Sequence, residues 1–374
     1  MLNREELKYL SEIQGNENYY VSLYLNVNPI TNPKGEYVLH LKNMIREVSE
    51  NTEKGVYGKI KADLEKISAY VTSNKRGFRK GLALVSSEET GFRREYNLSV
   101  PVKNTLIVDN TPYIKPLLDI IDNNPRHLIV LVEKDEARIF VVHLGEIVEY
   151  GEIKTSDVPG KHKKGGWFAL GEPHYQRHID YHVGLHLKAV IKKLESFLSA
   201  EQIDLIFIGG SEEAVNMFKD MLPESVRTRI KGQFAAEMFL KPDEVLKRAE
   251  PLLSVYEAEK EKKIVDELIT RAMKGNQAVL GIEDVIGAAM EGKIHKLVFV
   301  KDYEASGFKC VNCGLLSVRN IPKCPYCGSE MEPIEYMVES VVQRAVEQGA
   351  TIEVLAYETA SLKERGNTGA ILRF

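Results

Sequence analysis

Four cysteines lie close together near the carboxyl end of the chain, as two pairs with two residues inside each pair and ten residues between the pairs. They are Cys310, Cys313, Cys324 and Cys327, and a glycine follows each pair. Two such knuckles supply four thiolates, the ligand set of tetrahedral structural zinc sites. Because the protein would then fill every position around the metal, we expect a structural zinc rather than a catalytic one.

The predicted cellular compartment determines whether the four cysteines could form disulfides instead of a zinc site. The first twenty residues lack the apolar core of a signal peptide, and no stretch approaches the ~18 uncharged apolar residues of a membrane helix. We therefore expect a cytoplasmic protein without a membrane partner. A reducing cytoplasm disfavours disulfides, which leaves metal-free thiols and redox chemistry as the alternatives.

Length and hydrophobic pattern together predict the fold class. A chain of 374 residues favours two or three domains, and a composition of 44% hydrophobic and 28% charged residues excludes a fibrous or unfolded chain. The pattern predicts an α/β and α+β multidomain protein of three domains. They are an N-terminal α+β domain (1–124), a mixed-sheet middle domain (125–250), and a C-terminal α/β domain (251–374) with a zinc-ribbon insert (308–332).

The middle domain has the clearest element pattern. Three strands at 127–132, 137–144 and 146–153 predict a meander. A glycine-rich basic loop comes next at 159–167, and apolar residues at spacings of three and four then predict a long helix at 174–198.

Positive charge is concentrated in one segment of an acidic protein. The whole chain carries −4, whereas Lys154–Lys193 has eight Lys or Arg residues against three acids, a net charge of +5 that leaves −9 for the rest. This distribution suits a protein that offers one element to a polyanion such as RNA. The alternative is an ordinary solvated helix face.

The loop at 159–167 combines lysines, glycines and the single tryptophan of the chain. Lysines can neutralise phosphates, and adjacent glycines allow close approach of the backbone to a partner. Since no P-loop pattern is present, RNA fits the loop better than a nucleotide does. The alternative is a surface loop whose tryptophan packs into the core. The candidate residues are Lys161, His162, Lys163, Lys164, Gly165, Gly166 and Trp167.

Four histidines recur every fourth residue on the helix after the loop: His174, His178, His182 and His186. This spacing allows three interpretations, namely a metal-binding pair, a polar stripe facing RNA, or packed and solvated histidines. No acidic residue recurs on the stripe and no HExxH motif is present, so the RNA-facing stripe is the preferred one. The RNA-binding candidates on this helix are Arg177, His178, His182 and Lys188.

These motifs together resemble a known family. Residues 128–198 are similar to the middle domain of eukaryotic and archaeal class-1 release factors, in which strands lead into a Gly-Gly-Gln loop and then a long basic helix. Residues 281–300, the cysteine insert and 369–374 resemble the C-terminal domain of archaeal release factors. The strand at 21–25 is similar to the start of their N-terminal domain. The closest resemblance is to the bacterial archaeo-eukaryotic release factor-like proteins, within the class-1 release factor and Pelota superfamily.

The resemblance also shows which family residues this chain lacks. In release factors the loop glutamine positions the water that hydrolyses peptidyl-tRNA, and Trp167 occupies that position here. An indole can donate one hydrogen bond and stack on a base, but it has no amide group for that role. Gln176, nine residues later, is the nearest substitute. Whether the chain is an enzyme therefore stays open, and the candidate catalytic group is Gly165, Gly166, Trp167 and Gln176.

The N-terminal region lacks the stop-codon motifs of the family, neither the Thr-Ala-Ser-Asn-Ile-Lys-Ser loop nor the Tyr-x-Cys-x-x-x-Phe motif being present. By resemblance to Pelota-like rescue factors and Balon-like hibernation factors, we expect a ribosome-binding factor that enters the A site without decoding. Its partners would be ribosomal RNA in the A site and peptidyl-transferase region, with peptidyl-tRNA and a translational GTPase as further candidates. The alternatives are a codon-independent peptidyl-tRNA hydrolase or nuclease, and an RNA-binding protein acting away from the ribosome.

Overall fold

The computed structural model describes residues 2–13, 18–75, 77–154, 172–201, 203, 205–275 and 277–373, with the backbone alone for 172–179. The chain forms two compact units: Met1–Asn124 together with Glu261–Phe374, and Pro125–Lys260. Four sheets with covering helices confirm the predicted mixed α/β multidomain fold. The three domain ranges stay predictions, since the structure divides the chain between 260 and 261, inside one long helix. Within the described residues, no helix is long and apolar enough to cross a bilayer.

The N-terminal part of the first unit is a four-stranded antiparallel sheet in the order β3-β2-β1-β4. Two helices, α2 and α3, pack on one face, because α3 turns the residues Ile60, Leu64, Ile67 and Val71 toward the core at spacings of four, three and four. The elements are α1 (Arg4–Ser11), β1 (Tyr20–Asn26), α2 (Tyr37–Asn51), α3 (Lys54–Ser73), β2 (Gly81–Ser87), β3 (Phe92–Leu98), β4 (Thr105–Asp109) and α4 (Lys115–Asn123).

The second unit is built on a five-stranded mixed sheet in the order β7-β6-β5-β8-β9. Strands β5, β6 and β7 form the predicted antiparallel meander, whereas β5, β8 and β9 run parallel. Strand β5 is buried throughout, because apolar cores cover both faces of the sheet. The elements are β5 (His127–Val132), β6 (Glu136–His143), β7 (Glu146–Lys154), α5 (Glu172–Ala200), β8 (Ile206–Gly210), α6 (Glu212–Met221), α7 (Glu224–Arg227) and β9 (Ile230–Ala235).

Gly210 closes β8 where the backbone of β5 comes very near. Its φ is +148°, and a Cβ at this position would lie 2.1 Å from the carbonyl oxygen of Val132. We expect Gly210→Ala to destabilise the second unit by about 2–4 kcal/mol, since the clash is with backbone rather than with a movable side chain. Urea unfolding followed by circular dichroism measures this. Gly184→Ala is the matched control because its Cβ meets nothing within 4 Å in helix α5; equal destabilisation of both variants would contradict the account.

A long helix, α8 (Pro242–Met273), leaves the second unit and ends in the first. Its Val245 and Ala249 pack in the core of the second unit, and its Ile264, Val265 and Leu268 pack in that of the first. Although α8 is rich in charged residues, both of its ends are therefore packed against core residues.

The C-terminal part is a second four-stranded sheet in the order β10-β16-β11-β15, in which only β11 and β15 pair in parallel. The crossover between these two strands carries a three-stranded insert, β13-β12-β14, followed by α10. The elements are β10 (Ala278–Leu280), α9 (Ile282–Met290), β11 (Ile294–Val300), β12 (Gly307–Cys310), β13 (Leu316–Ser317), β14 (Met331–Ile334), α10 (Met337–Glu347), β15 (Thr351–Leu355), α11 (Ala360–Lys363) and β16 (Thr368–Leu372).

Candidate functional site

The four cysteines come together at one end of the insert, which we call the ribbon (residues 305–336). The Sγ atoms of Cys310 and Cys327 are 3.4 Å apart, those of Cys313 and Cys324 are 3.5 Å apart, and all four lie within 4.8 Å of one another. Sulfurs bound tetrahedrally at about 2.3 Å from a zinc ion would be about 3.8 Å apart. The four thiols could therefore hold one metal ion.

Both pairs lie on loops of the same geometry. Each pair's first cysteine accepts a hydrogen bond at its carbonyl from the glycine after the pair, with Gly314 N to Cys310 O at 3.1 Å and Gly328 N to Cys324 O at 2.9 Å. The two glycines have φ of +67° and +76°, a conformation that favours glycine. One cysteine of each pair is buried and the other is exposed. The ribbon thus has two loops of similar geometry whose four sulfur atoms converge on one position.

In the part of the chain that the structure describes, these cysteines are the only group of three or more potential metal-ligating side chains close enough to share an ion. Four protein ligands leave no position for water, so such a metal would stabilise the fold rather than activate a substrate.

The glycine-rich loop lies outside the described residues. This holds for every loop candidate named from the sequence: Lys161, His162, Lys163, Lys164, Gly165, Gly166 and Trp167. The structure places the two ends between which the loop runs, with β7 ending at Lys154 and α5 beginning at Glu172. The side chains of Gln176, Arg177 and His178 on the first turns of α5 also lie outside the described residues.

The rest of α5 has a buried side and an exposed basic side. Tyr181, Leu185, Lys188 and Lys192 are exposed, and their spacings of four, three and four place them on one face. His182 is half-buried beside this face. The residues that pack into the core on the other side are Val183, Leu187, Val190, Leu194 and Phe197. Lys188, a predicted RNA-binding residue, is therefore open to a partner.

The predicted histidine stripe does not stay on the exposed face. His186 is buried, and its ring hydrogen-bonds to the backbone of Glu136. Burial lowers the pKa of His186 from its usual value, although the nearby Asp135 and Glu136 oppose the shift. Each step of four residues turns about 40° around a helix axis, so a row at this spacing winds off one face. An RNA-facing stripe of all four histidines is therefore not formed.

Sequence reasoning missed an extension of the basic surface onto the sheet edge. The ammonium group of Lys193 lies 5.3 Å from the ring centroid of Tyr150 on β7, and this ring packs edge-on against Phe197 at 4.4 Å. Tyr150 is half exposed. Helix α5 and strand β7 thus form a surface of lysines and aromatic rings, groups that can bind phosphates and stack on bases. Only the fold brings Tyr150 and Lys193 together.

A buried polar cluster in the first unit was also missed. Residues 111–115, which we call the joining segment, connect β4 to α4. The two carboxyl oxygens of Glu339 on α10 accept hydrogen bonds from the backbone N–H groups of Ile114 (2.9 Å) and Lys115 (3.0 Å). One turn later, the Gln343 amide donates to Thr111 Oγ1 (2.9 Å) and to the Pro112 carbonyl (2.8 Å). Polar residues four apart usually mark a solvated helix face, so no sequence signal could have found this one.

Lys115 completes the cluster from the side of the joining segment. Its buried ammonium group donates to the Tyr303 carbonyl at 2.6 Å and forms an ion pair with Glu304, which also accepts from the Tyr113 hydroxyl at 3.2 Å. Burial raises the pKa of Glu339 to about 8, even though the backbone hydrogen bonds and Lys115 favour its charged form. The cluster fixes the joining segment to the C-terminal part of the unit.

The chain is similar to known proteins of translation termination. Residues 112–252 match the model of the bacterial archaeo-eukaryotic release factor family 10. The "Peptide chain release factor subunit 1" of Thermococcus sibiricus is 25% identical over 99% of this chain and 97% of its own length. The chain is therefore similar to an archaeal release factor over almost its whole length. The protein of the same name from Methanocaldococcus jannaschii is also 25% identical, over 100% of this chain and 97% of its own.

Solved structures of translation factors are also similar to this chain in part. Pelota of Archaeoglobus fulgidus is 17% identical, with a TM-score of 0.36, over 78% of this chain and 79% of that one. The resemblance to the bacterial archaeo-eukaryotic release factor-like proteins and to class-1 release factors is confirmed by the family match and the curated relatives.

Proposed function

We propose that the chain is a translation factor that enters the ribosomal A site without reading a stop codon and acts in ribosome rescue or hibernation. One observation carries this proposal. The chain is similar to curated peptide chain release factors over almost its whole length, yet Trp167 stands where the resemblance expects the catalytic glutamine. A chain that keeps the size and order of a release factor without that glutamine can occupy the site and leave the ester bond intact.

The basic residues of the second unit would hold ribosomal RNA. In this proposal the lysines of the loop and the exposed face of α5, with Lys188 and Lys192, contact phosphates, and Tyr150 and Trp167 stack on bases. Gly165 and Gly166 let the loop backbone approach the peptidyl-transferase region closely. Arg177, His178 and His182 would add contacts along the same helix. The acidic remainder of the chain keeps its other surfaces away from RNA.

We further propose that the ion held by the ribbon is zinc. Four thiolates with sulfur separations of 3.4–4.8 Å suit its tetrahedral preference and soft ligands. A translational GTPase that delivers the chain and a peptidyl-tRNA in the neighbouring site are the further partners of this proposal.

The loop lysines provide a test through salt dependence. We expect the triple variant Lys161→Ala, Lys163→Ala and Lys164→Ala to bind ribosomes more weakly. Its plot of log affinity against log salt concentration should also be shallower by about 2–3, because each lysine on a phosphate releases roughly one counterion. Filter binding at several salt concentrations measures both quantities.

The matched control removes the same charge from the acidic remainder of the chain. Lys247, Lys262 and Lys263 are exposed on α8, and their replacement with alanine should leave the slope unchanged. If the loop variant and the α8 variant showed the same slope as the unaltered protein, the loop would not contact RNA phosphates.

A further inference from the structure

The ribbon is attached to the C-terminal sheet by a narrow stem, which we define as residues 303–305 and 336–337. The chain leaves β11 through Tyr303, Glu304 and Ala305, and it returns from β14 through Tyr336 into α10. A hydrogen bond from Met337 N to Ala305 O, 2.8 Å long, closes the stem. Above it, Gly307 packs so tightly on Met337 that a Cβ would lie 2.2 Å from the Met337 side chain.

The residues of this stem are the same ones that hold the joining segment. The Tyr303 carbonyl and the Glu304 carboxylate bind the Lys115 ammonium group. The ring of Tyr336 lies 5.7 Å from that of Tyr113. Glu339, on the first turn of α10 just after the stem, accepts the N–H groups that begin α4. No side chain of the segment caps α4, so its amino end depends on α10.

The joining segment leads through α4 into the second unit. Helix α4 ends at Asn123, and the second unit, with the glycine-rich loop and α5, begins at Pro125. The Asp122 carboxylate at the end of α4 accepts a hydrogen bond from Val354 N at 2.8 Å. The path of the chain from the first unit toward the second is therefore fixed at its start by the ribbon stem and α10.

The ribbon has little apolar material with which to fold by itself. Its buried cluster consists of Cys310, Leu315 and Cys324, with Met331 and Met290 of α9 against it, and Leu316 is also buried. Two of these four buried ribbon residues are metal-ligand candidates. Small sites of this kind gain most of their folding free energy from the metal. Loss of the ion is then expected to loosen the ribbon sheet down to its stem.

We propose that metal binding by the ribbon orders the joining segment, so that the ribbon controls how firmly the chain is held where it passes toward the second unit. The proposal depends on the metal site inferred above. When the stem is closed, Glu304 neutralises the buried Lys115 and Glu339 caps α4. When the stem opens, both interactions are lost together, and a buried charge and unpaired N–H groups must become hydrated. By linkage, an interaction that orders the joining segment would also increase the affinity of the ribbon for the metal.

Hydrogen exchange of the full-length protein tests this coupling. The zinc-loaded protein is compared with protein treated with a chelator, and deuterium uptake is followed in peptides covering 111–118, the ribbon, β1 and β5. We expect chelation to speed exchange in both the ribbon and 111–118 by tenfold or more, and to leave β1 and β5 unchanged. Faster exchange in the ribbon with unchanged exchange in 111–118 would overturn the proposal, as would equal loosening of β1.

A variant separates the coupling from the metal site itself. Glu339→Ala removes the acceptor for Ile114 and Lys115 but no sulfur, so 111–118 should exchange rapidly in the zinc-loaded protein while the ribbon keeps its metal and its protection. Glu347→Ala changes an exposed residue of the same helix. It should leave both the exchange of 111–118 and the metal content unchanged. A protein that holds no metal would contradict the zinc site, whereas a loaded protein in which Glu339→Ala leaves 111–118 protected would contradict the coupling alone.

Discussion

Cys324→Ser should abolish stoichiometric zinc binding and unfold the ribbon in an otherwise folded protein. Cys324 is buried in the ribbon core and its sulfur lies 3.5 Å from that of Cys313. A serine hydroxyl does not ionise at neutral pH as a thiol does near a metal, so the variant keeps only three good ligands. Structural zinc sites contribute about 10–16 kcal/mol of apparent binding free energy in small peptides, which makes this the largest effect that we expect.

Metal analysis and hydrogen exchange measure the outcome. The zinc content should fall from about one equivalent to a small fraction, and the strands β12, β13 and β14 should lose protection while β11 and β15 keep theirs. Tyr326→Ala is the matched control, because Tyr326 lies in the second knuckle, is 82% exposed and offers no sulfur. Full zinc content in the Cys324→Ser protein would refute the four-thiolate site.

The second large effect concerns the pH dependence of stability at Glu339. Burial raises the pKa of this carboxyl group to about 8 in the folded protein, from an ordinary value of 4.5. Between these values the folded state holds a proton that the unfolded state has released, so stability falls as pH rises from about 4.5 to about 8 and is level above that. Because each pKa unit corresponds to about 1.4 kcal/mol, we expect this contribution to reach about 5 kcal/mol.

Glu339→Gln isolates this contribution, because the amide is neutral at every pH and still offers an oxygen to the N–H groups of the joining segment. The charged groups that face the position, Lys115 and Glu304, stay in place. Urea unfolding from pH 5 to pH 9 should give a flatter profile for the variant, and the variant should be the more stable protein at pH 9. Glu347→Gln removes an exposed charge from the same helix and should keep the original profile. A profile for Glu339→Gln parallel to that of the unaltered protein would contradict the account.

Local pattern predicted much of the fold. The three strands of the meander and the long helix α5 follow from hydrophobic spacing within each segment, which is a property of neighbouring residues. The proximity of the four cysteines follows from their spacing as well. The placement of Lys188 on an exposed face could also be predicted, because the apolar positions of α5 define the opposite face.

Other features depend on contacts between distant parts of the chain. The helix α4 was not predicted, and its amino end is capped by Glu339, which is 225 residues from Ile114 in sequence. The N-terminal and C-terminal parts form one compact unit for the same reason. Its spacing predicted that His186 lies on one stripe with the other three histidines of α5. The rotation of the helix between these positions instead carries His186 into the core. No local pattern contains this information.

In the proposed function, the chain occupies the ribosome without releasing the nascent peptide. The most direct measurement is sucrose-gradient sedimentation of the purified protein with 70S ribosomes that carry labelled peptidyl-tRNA, scoring the position of the protein and hydrolysis of the ester in the same fractions. We predict that the protein migrates with the ribosomes and that the label stays on the tRNA. Co-migration with release would instead indicate a hydrolase, with Gln176 and His182 as the first residues to change. Failure to migrate with ribosomes would contradict the claim.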